Sequence, residues 1–333
     1  MKESLLDYIV CPKCNFDLYI EDQKSDEIEI ISGELKCVNC GEEYKIEHGM
    51  PLLYNKNDQW NILDLEAKGW VNIHKDKGIY DQTGNNIDYI LPYYDGKPWL
   101  KVGSMFDICF NILDLDGSEK ILDIGAARGW ASKHFSLRGC YSVSIDIVAD
   151  DQIGLGRSKS IMKEANTYYE RVIGDSGNLP FGKETFDIVF CSGALHHTLD
   201  IDNLFNNINK VLKPGGMLIA INEPCAGIFM NTDDVISDME ESKYDINETL
   251  PNLITYHRGL SDSGFSNINI FPYQVYNQTE HEFKEWYSNF KFSEVFCGVY
   301  HYDFGISGND FKEKIYRLLI EHGGETIVTA IKK

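Results

Sequence analysis

No stretch of this chain approaches the run of about 20 apolar residues that a membrane-crossing helix needs, so no membrane partner is expected. Positive charge is scarce: 31 Lys and Arg stand against 52 Asp and Glu, for a formal net charge of −21. An acidic chain repels phosphate backbones, and no Lys/Arg-rich run offers a local exception, so nucleic acid is a disfavoured partner. A secretory signal is also lacking, and nine cysteines, an odd number, do not suggest a disulfide framework. The expected compartment is a reducing cytoplasm. What remains is ordinary globular material: 333 residues, 43% of them apolar, enough for one large domain or two. Oligomeric state is not legible.

The organising stretch is Ile121-Leu-Asp-Ile-Gly-Ala-Ala-Arg-Gly-Trp130. An apolar run ends in an acid, breaks at a Gly/Ala turn and continues with helical spacing, which reads as buried strand, tight turn and helix start. Gly125 allows close backbone approach and Gly129 lets helix pack on strand. Free N–H groups at such a turn suit a carboxylate or another polar ligand group. The nicotinamide and flavin fingerprint would need Gly-x-Gly-x-x-Gly, which is missing. The turn resembles instead the first motif of class I S-adenosylmethionine-dependent methyltransferases, Asp-x-Gly-x-Gly-x-Gly, with Ala127 in place of the middle glycine. That resemblance implies that Asp123, Gly125, Ala126 and Gly129 border the cofactor. The bland alternative is a strand-turn-helix that holds no ligand.

Further motifs follow in order. Cys140-Tyr-Ser-Val-Ser-Ile-Asp146 is a second strand pattern ending in an acid, and a carboxylate there is placed to accept both ribose hydroxyls. Ile147 would lie against the adenine. A third strand runs to Asp175-Ser-Gly-Asn-Leu-Pro-Phe181; Asp175 resembles the acid that takes the adenine amino group, with Ser176 beside it. Leu-Pro-Phe, the buried strand Phe186 to Cys191 and Ser192-Gly-Ala-Leu-His-His197 resemble methyltransferases of the ubiquinone-biosynthesis type. Cys191 closes the cofactor set. A helix over Leu204 to Leu212 is expected to stop at Lys213-Pro-Gly-Gly216, followed by a fifth strand, Met217 to Asn222. Phe265 to Val275 and Glu325 to Ile331 supply a sixth and seventh strand, the last antiparallel. The fold class is α/β: a Rossmann-like seven-stranded class I methyltransferase sheet.

At the N-terminus, Cys11-Pro-Lys-Cys14 and Cys37-Val-Asn-Cys40 form two Cys-x-x-Cys pairs beside turn formers. This is the pattern of a zinc ribbon, in which four thiolates close one tetrahedral structural zinc. Leu5 to Cys14, Leu35 to Ile46 and Gly49 to Leu53 resemble the small zinc-ribbon activators of tRNA, rRNA and release-factor methyltransferases, here fused in cis. The acidic Glu21 to Glu34 reads as an exposed, solvated hairpin. Expected divisions are a zinc-ribbon domain at 1–55, a linker with cofactor-capping helices at 56–117, and a methyltransferase domain at 118–333. Within the linker, Tyr80 is a candidate to close over the cofactor, and Met105 to Leu115 a helix.

Methyl transfer needs an aligned acceptor and sometimes a base. The carboxyl ends of strands four and five place His196, His197 and Glu223 as catalytic candidates. One imidazole could serve a hydroxyl acceptor as base, or merely fix the loop. The Asn/Asp-Pro-Pro-Tyr/Phe pattern of exocyclic-amine methyltransferases is missing. Insertions at about 224–255, with Asp233, Asp234, Asp238, Glu240 and Glu241, and at 276–310, with aromatics from Phe283 to Phe304, would define the substrate. The expected function is S-adenosylmethionine-dependent methyl transfer to a small molecule, at oxygen. The rivals are an RNA or translation-protein methyltransferase and a non-catalytic cofactor-binding scaffold.

Overall fold

The computed structural model describes residues 1–81, 86–273, 316, 319–321 and 323–333. The aromatic insertion at 276–310 lies outside the described residues, as does most of the Thr83 to Asn86 turn.

The chain begins with a β-meander: β1 (Leu18–Ser25), β2 (Ile30–Cys37), β3 (Glu43–Glu47) and β4 (Met50–Leu53). Helices α1 (Asp58–Asp76), α2 (Ile87–Ile90) and α3 (Trp99–Leu113) follow. Then strands and helices alternate: β5 (Lys120–Ile124), α4 (Trp130–Leu137), β6 (Tyr141–Asp146), α5 (Ser158–Ala165), β7 (Glu170–Gly174), β8 (Phe186–Ser192), α6 (Ile201–Val211) and β9 (Leu212–Cys225). The remainder is α7 (Thr232–Asp238), α8 (Leu253–Asp262), β10 (Phe265–Pro272) and β11 (Gly324–Lys332).

Among the described residues eleven strands form one sheet, β1-β2-β3-β4-β7-β6-β5-β8-β9-β11-β10. The seven strands from β7 to β10 are those expected, with β11 antiparallel to both neighbours. Order reverses at β5, whose neighbours β6 and β8 both run parallel to it. That switch point is where a crevice opens outside the carboxyl ends of the strands. One face of the sheet is covered by Phe106, Trp130 and Phe135 from α3 and α4, packed edge-to-face on Phe190. The other face is covered by Leu204, Phe205 and Ile208 of α6 and Tyr256 and Leu260 of α8. No helix among the described residues is long and apolar enough to cross a membrane.

Four features differ from the sequence reading. First, the sheet does not stop at the seven expected strands: β4 adds to its edge, with Leu52 and Leu53 pairing parallel to Ile173 and Gly174. A four-residue apolar segment gave no sign of which edge it would extend. Second, the acidic hairpin is not wholly solvated. Glu29 is 6% exposed and accepts two hydrogen bonds from Arg171 Nη2, at 2.8 and 2.9 Å. Arg171, on β7, is itself buried, so this ion pair locks the meander to the sheet. Third, α3 starts at Trp99 rather than Met105, because Trp99 packs on Trp130 at 6.0 Å and draws the first turn into the core. Fourth, Lys213-Pro-Gly-Gly216 lies inside a strand: Leu212 already pairs with Phe186, and the irregularity before Ile188 and Met217 absorbs the four residues.

Helix α1 decides the shape of the site. Asn57 caps it, Oδ1 accepting the Trp60 N–H at 2.9 Å. Leu63, Glu66, Gly69 and Ile73 make its buried stripe, spaced as one helical face. At Gly69 a Cβ would sit 1.9 Å from the Tyr244 carbonyl oxygen, so only glycine lets the helix lie this close to the turn Glu241–Tyr244. The stripe includes a carboxylate, which an apolar seam would not.

Candidate active site

A cavity of about 620 Å³ occupies the crevice at the switch point, roofed by α1. Its floor is the turn after β5. Gly125 and Ala126 both donate their N–H to the Ile145 carbonyl oxygen, at 3.0 and 3.3 Å, which folds the chain back over β6. Ala127 has φ +47, the left-handed conformation that glycine adopts at less cost. Gly129 (φ +74) begins α4, and a Cβ there would meet Tyr169 Oη at 2.6 Å.

Asp146 stands at the end of β6 with both oxygens anchored. Oδ2 accepts from Ala127 N–H at 2.7 Å and Oδ1 from Val148 N–H at 2.8 Å. A carboxylate has about four lone-pair sites, so these two anchors leave Asp146 with acceptor capacity for further donors, such as a pair of vicinal hydroxyls. Asp175 is held likewise, by Gly177 N–H at 2.7 Å on Oδ1 and by Gln59 Nε2 of α1 at 2.7 Å on Oδ2. Burial pushes both carboxyls above their ordinary values. Gly125, Asp146, Ile147, Asp175 and Ser176 all line the cavity, and so does His197.

Six predicted residues stand back from it. Asp123 is 2% exposed, and its Oδ2 accepts from Ser132 N–H and Oγ, at 3.2 and 2.9 Å. It ties β5 to α4 from beneath, and burial, against those bonds, raises its pKa to about 7. Ala126 points into an apolar cluster with Met50, Leu155 and Ile173. Gly129 packs against Tyr169, as above. Strand alternation turns Cys191 into the core, where burial pushes its thiol well up, and leaves Ser192 to face the cavity. His196 and Glu223 form the layer behind His197. Tyr80 is also absent from the lining; its Oη donates to Asp150 at 2.8 Å. Trp70, Trp99 and Trp130 supply the aromatic wall instead.

The far end of the cavity is chemically distinct. Glu223, fully buried on β9, accepts at Oε1 from Ala194 N–H (2.8 Å) and Leu195 N–H (3.1 Å) and at Oε2 from His196 Nδ1 (2.9 Å). Burial alone would raise its pKa; the His196 bond and charge with the two N–H groups outweigh that and lower it. Burial likewise opposes charge on His196, but the Glu223 bond and the charges of Glu223, Glu248 and Glu66 raise its pKa. His197 donates Nδ1–H to the Asn247 carbonyl at 2.8 Å, which leaves a lone pair on Nε2. Its burial, with His196 adjacent, lowers its pKa to about 4. Trp70 meets His197 edge-on at 5.4 Å.

Two acids here went unpredicted. Glu66 of α1 is 2% exposed, and its Oε2 has no hydrogen-bond partner. Burial first, then the neighbouring Asp146 and Glu248 charges, raise it to about 8. Glu248 comes from the 224–255 insertion, and burial raises it to about 7. Of the five acids named above in that insertion, Glu240 pairs across the surface with Lys77 at 2.9 Å. Helical spacing at Leu63, Glu66, Gly69 and Ile73 was the available signal for Glu66; nothing local marked Glu248.

At the ribbon tip, Cys11, Cys14, Cys37 and Cys40 place their sulfurs together. Cys14 Sγ lies 3.4 Å from Cys37 Sγ and 3.5 Å from Cys40 Sγ, and Cys11 Sγ 3.7 Å from Cys40 Sγ. A tetrahedral ion with bonds of about 2.3 Å sets sulfurs about 3.8 Å apart, so the set fits one.

Residues 122–220 match a family model described as a methyltransferase domain. Phosphoethanolamine N-methyltransferase 1 of Triticum aestivum is 25% identical over 259 residues, 74% of this chain and 47% of that protein. A demethylmenaquinone methyltransferase of Corynebacterium glutamicum is 27% identical over 143 residues, 42% of this chain and 56% of that protein. The chain thus spans about half the length of the curated relatives it matches. Phosphoethanolamine N-methyltransferase 2 of Haemonchus contortus, solved with phosphomonomethylethanolamine and S-adenosylhomocysteine, superposes with a TM-score of 0.51 at 17% identity, over 79% of this chain and 60% of that one. The fold is the class I S-adenosylmethionine-dependent methyltransferase fold, and residues 122–220 are the part of it that the family model matches.

Proposed function

We propose that this protein transfers a methyl group from S-adenosylmethionine to a hydroxyl oxygen of a small molecule, and that its ribbon holds a structural zinc. The observation that carries the reading is the single cavity in which Asp146 and Asp175, at successive strand ends, share one space with Trp70, Glu66 and His197. S-adenosylmethionine supplies an electrophilic methyl when bound. Asp146 would take the ribose hydroxyls through its two spare lone pairs, and Asp175 and Ser176 the adenine edge. His197, its Nδ1–H committed to Asn247, offers the acceptor end a lone pair and no proton. Trp70 excludes water beside it. Alignment of the acceptor between these groups is the main contribution expected of the protein.

A cavity of about 620 Å³ matches pockets for small molecules rather than an open groove for a polymer. Four thiolates leave no open position on a tetrahedral ion, so the zinc would be structural. The test is calorimetric titration with S-adenosylmethionine of wild type and Asp146→Ala, followed by mass-spectrometric screening of hydroxylated small molecules. Micromolar binding that collapses in the variant, with methylated oxygen in the screen, supports the reading. Binding with methylation of RNA alone would replace it, and binding without any transfer would reduce the protein to a cofactor-binding scaffold.

A further inference from the structure

The acceptor end holds a second set of metal-ligand side chains that the proposed cofactor site does not use. One donor atom from each of His196, His197 and Glu248 lies within 4.8 Å of the others. His196 Nε2 is 3.6 Å from Glu248 Oε2, and His197 Nδ1 is 3.6 Å from Glu248 Oε1. Donors bound to one shared ion at about 2.0–2.2 Å lie about 3–4 Å apart.

These donors are held in place by groups outside the set. Nδ1 of His196 is fixed by Glu223, which two backbone N–H groups fix in turn. Nδ1 of His197 is fixed by the Asn247 carbonyl. Glu248 is pinned from both sides: Asn247 Nδ2 donates to the His197 carbonyl at 2.8 Å, and Thr249 donates its N–H and Oγ1 to the His196 carbonyl at 3.0 and 2.6 Å. A ligating histidine whose other nitrogen donates to a carboxylate or a backbone carbonyl is the usual outer shell of a metal site. A neighbouring acid provides an independent sign. Glu66 is nine-tenths buried, lines the cavity, and leaves Oε2 without any partner. An orphaned buried carboxylate oxygen is costly unless something binds there.

We propose that His196, His197 and Glu248 bind one divalent first-row transition ion at the acceptor end of the cavity, with the Glu66 carboxylate as a neighbouring charge. Two imidazoles with a carboxylate suit Zn²⁺, Mn²⁺ or Co²⁺ better than an all-oxygen set would suit Ca²⁺. Under the methyl-transfer reading, on which only this consequence rests, an acceptor hydroxyl bound to the ion is more acidic and releases its proton to water. The ion site itself stands on the side chains, whatever the reaction.

The experiment is Co²⁺ titration of the purified full chain, without cofactor, followed by visible absorption and by metal content after dialysis. Wild type is expected to take two equivalents: one with thiolate charge-transfer bands, from the ribbon, and one with only weak nitrogen/oxygen bands. Glu248→Gln and Glu66→Gln, close in shape to the native side chains, should each weaken the second equivalent by about 10–100-fold or more and leave the thiolate bands unchanged. Circular dichroism of each variant guards against misfolding. A folded wild type that takes up only the thiolate-bound equivalent at millimolar Co²⁺ overturns the proposal, as does a second equivalent that both variants retain. Because the readout needs neither cofactor nor acceptor, failure here is distinguishable from failure of the methyl-transfer reading.

Discussion

The chain carries two clusters of soft and borderline ligands, and they are built in opposite ways. The ribbon cluster draws on two tight turns, with each sulfur pair three positions apart in sequence and all four at one tip. It closes on itself. The second cluster draws on the loop after β8 and on Glu248, with Glu66 of α1 nearby, and it reaches the cavity wall through His197. Local construction yields a staple; long-range construction yields a site whose parts assemble only when the whole fold is in place. The two should therefore fail differently when perturbed.

The largest effect is expected at the staple. Cys37→Ser removes one sulfur of a set for which the proposed structural zinc would be worth on the order of 10 kcal/mol of folding free energy. Because β4 pairs with β7, loss of the ribbon should also expose the β7 edge of the main sheet. The expected outcome is loss of one bound zinc, rapid proteolysis within residues 1–57 and aggregation on mild heating. A Cys37→Ser protein as protease-resistant as wild type would mean that packing alone holds the ribbon.

Next comes the lock between ribbon and sheet. Glu29→Ala leaves Arg171, 1% exposed, without its carboxylate. Breaking one side of a buried pair costs about 3–5 kcal/mol, whereas replacing both sides by apolar groups is often neutral. Differential scanning calorimetry should find Glu29→Ala strongly destabilised and Glu29→Leu/Arg171→Leu only partly restored, because the buried Met1 ammonium, 3.1 Å from Glu29 Oε2, loses its carboxylate in both. Equal losses in both would show that the pair adds more than it costs to desolvate.

How much of this was readable beforehand follows the same division. Cys-x-x-Cys spacing announced the ribbon cluster, since a turn of fixed length delivers two sulfurs to one point. Strand, turn and acid announced Asp146 and Asp175, because in a parallel sheet every strand end faces the same crevice. Asp123, Ala126, Gly129 and Cys191 were assigned to the cofactor on resemblance alone; the alternation of β5 and β8 and the turn between β5 and α4 direct them into the core or against α4 and Tyr169. Glu66 and Glu248 were missed for a different reason. Their meaning lies in tertiary contacts: an acid in the buried stripe of α1, and another pinned by its neighbours to the histidine loop. A sequence window sees the first only as a break in an apolar pattern and the second not at all.

An intermediate effect is expected at the cofactor end. Asp146→Asn keeps the shape but replaces one oxygen by a donor, facing either Ala127 N–H or Val148 N–H. Loss of charge-assisted hydrogen bonds is worth about 1.5–3 kcal/mol, or roughly 10–100-fold in affinity. Calorimetry with S-adenosylmethionine should show that loss, with Co²⁺ uptake at both clusters unchanged. If ion binding fell as well, the two ends of the cavity would be one coupled unit and the contrast between them would need revision.

The smallest effect, and the sharpest probe of the floor between the two ends, is Ala127→Gly. Ala127 holds φ +47, where an L side chain costs roughly 1–2 kcal/mol. Glycine removes that cost but gives back about 0.4–1 kcal/mol through the greater freedom of the unfolded chain. The net change in stability is then a gain of under about 1.5 kcal/mol, visible as a rise of a few degrees at most in Tm. Affinity is a separate matter. Ala127 lines the cavity, and its N–H orients Asp146, so removing the methyl widens the cradle without touching that bond. Tighter S-adenosylmethionine binding with nearly unchanged Tm would mean that the methyl restricts the cofactor. Unchanged binding with a raised Tm would mean that the turn already has the room it needs, and that Ala127 costs the fold rather than the site. Weaker binding would mean that the methyl itself holds the turn against Asp146, and the strained residue would then be part of the cradle.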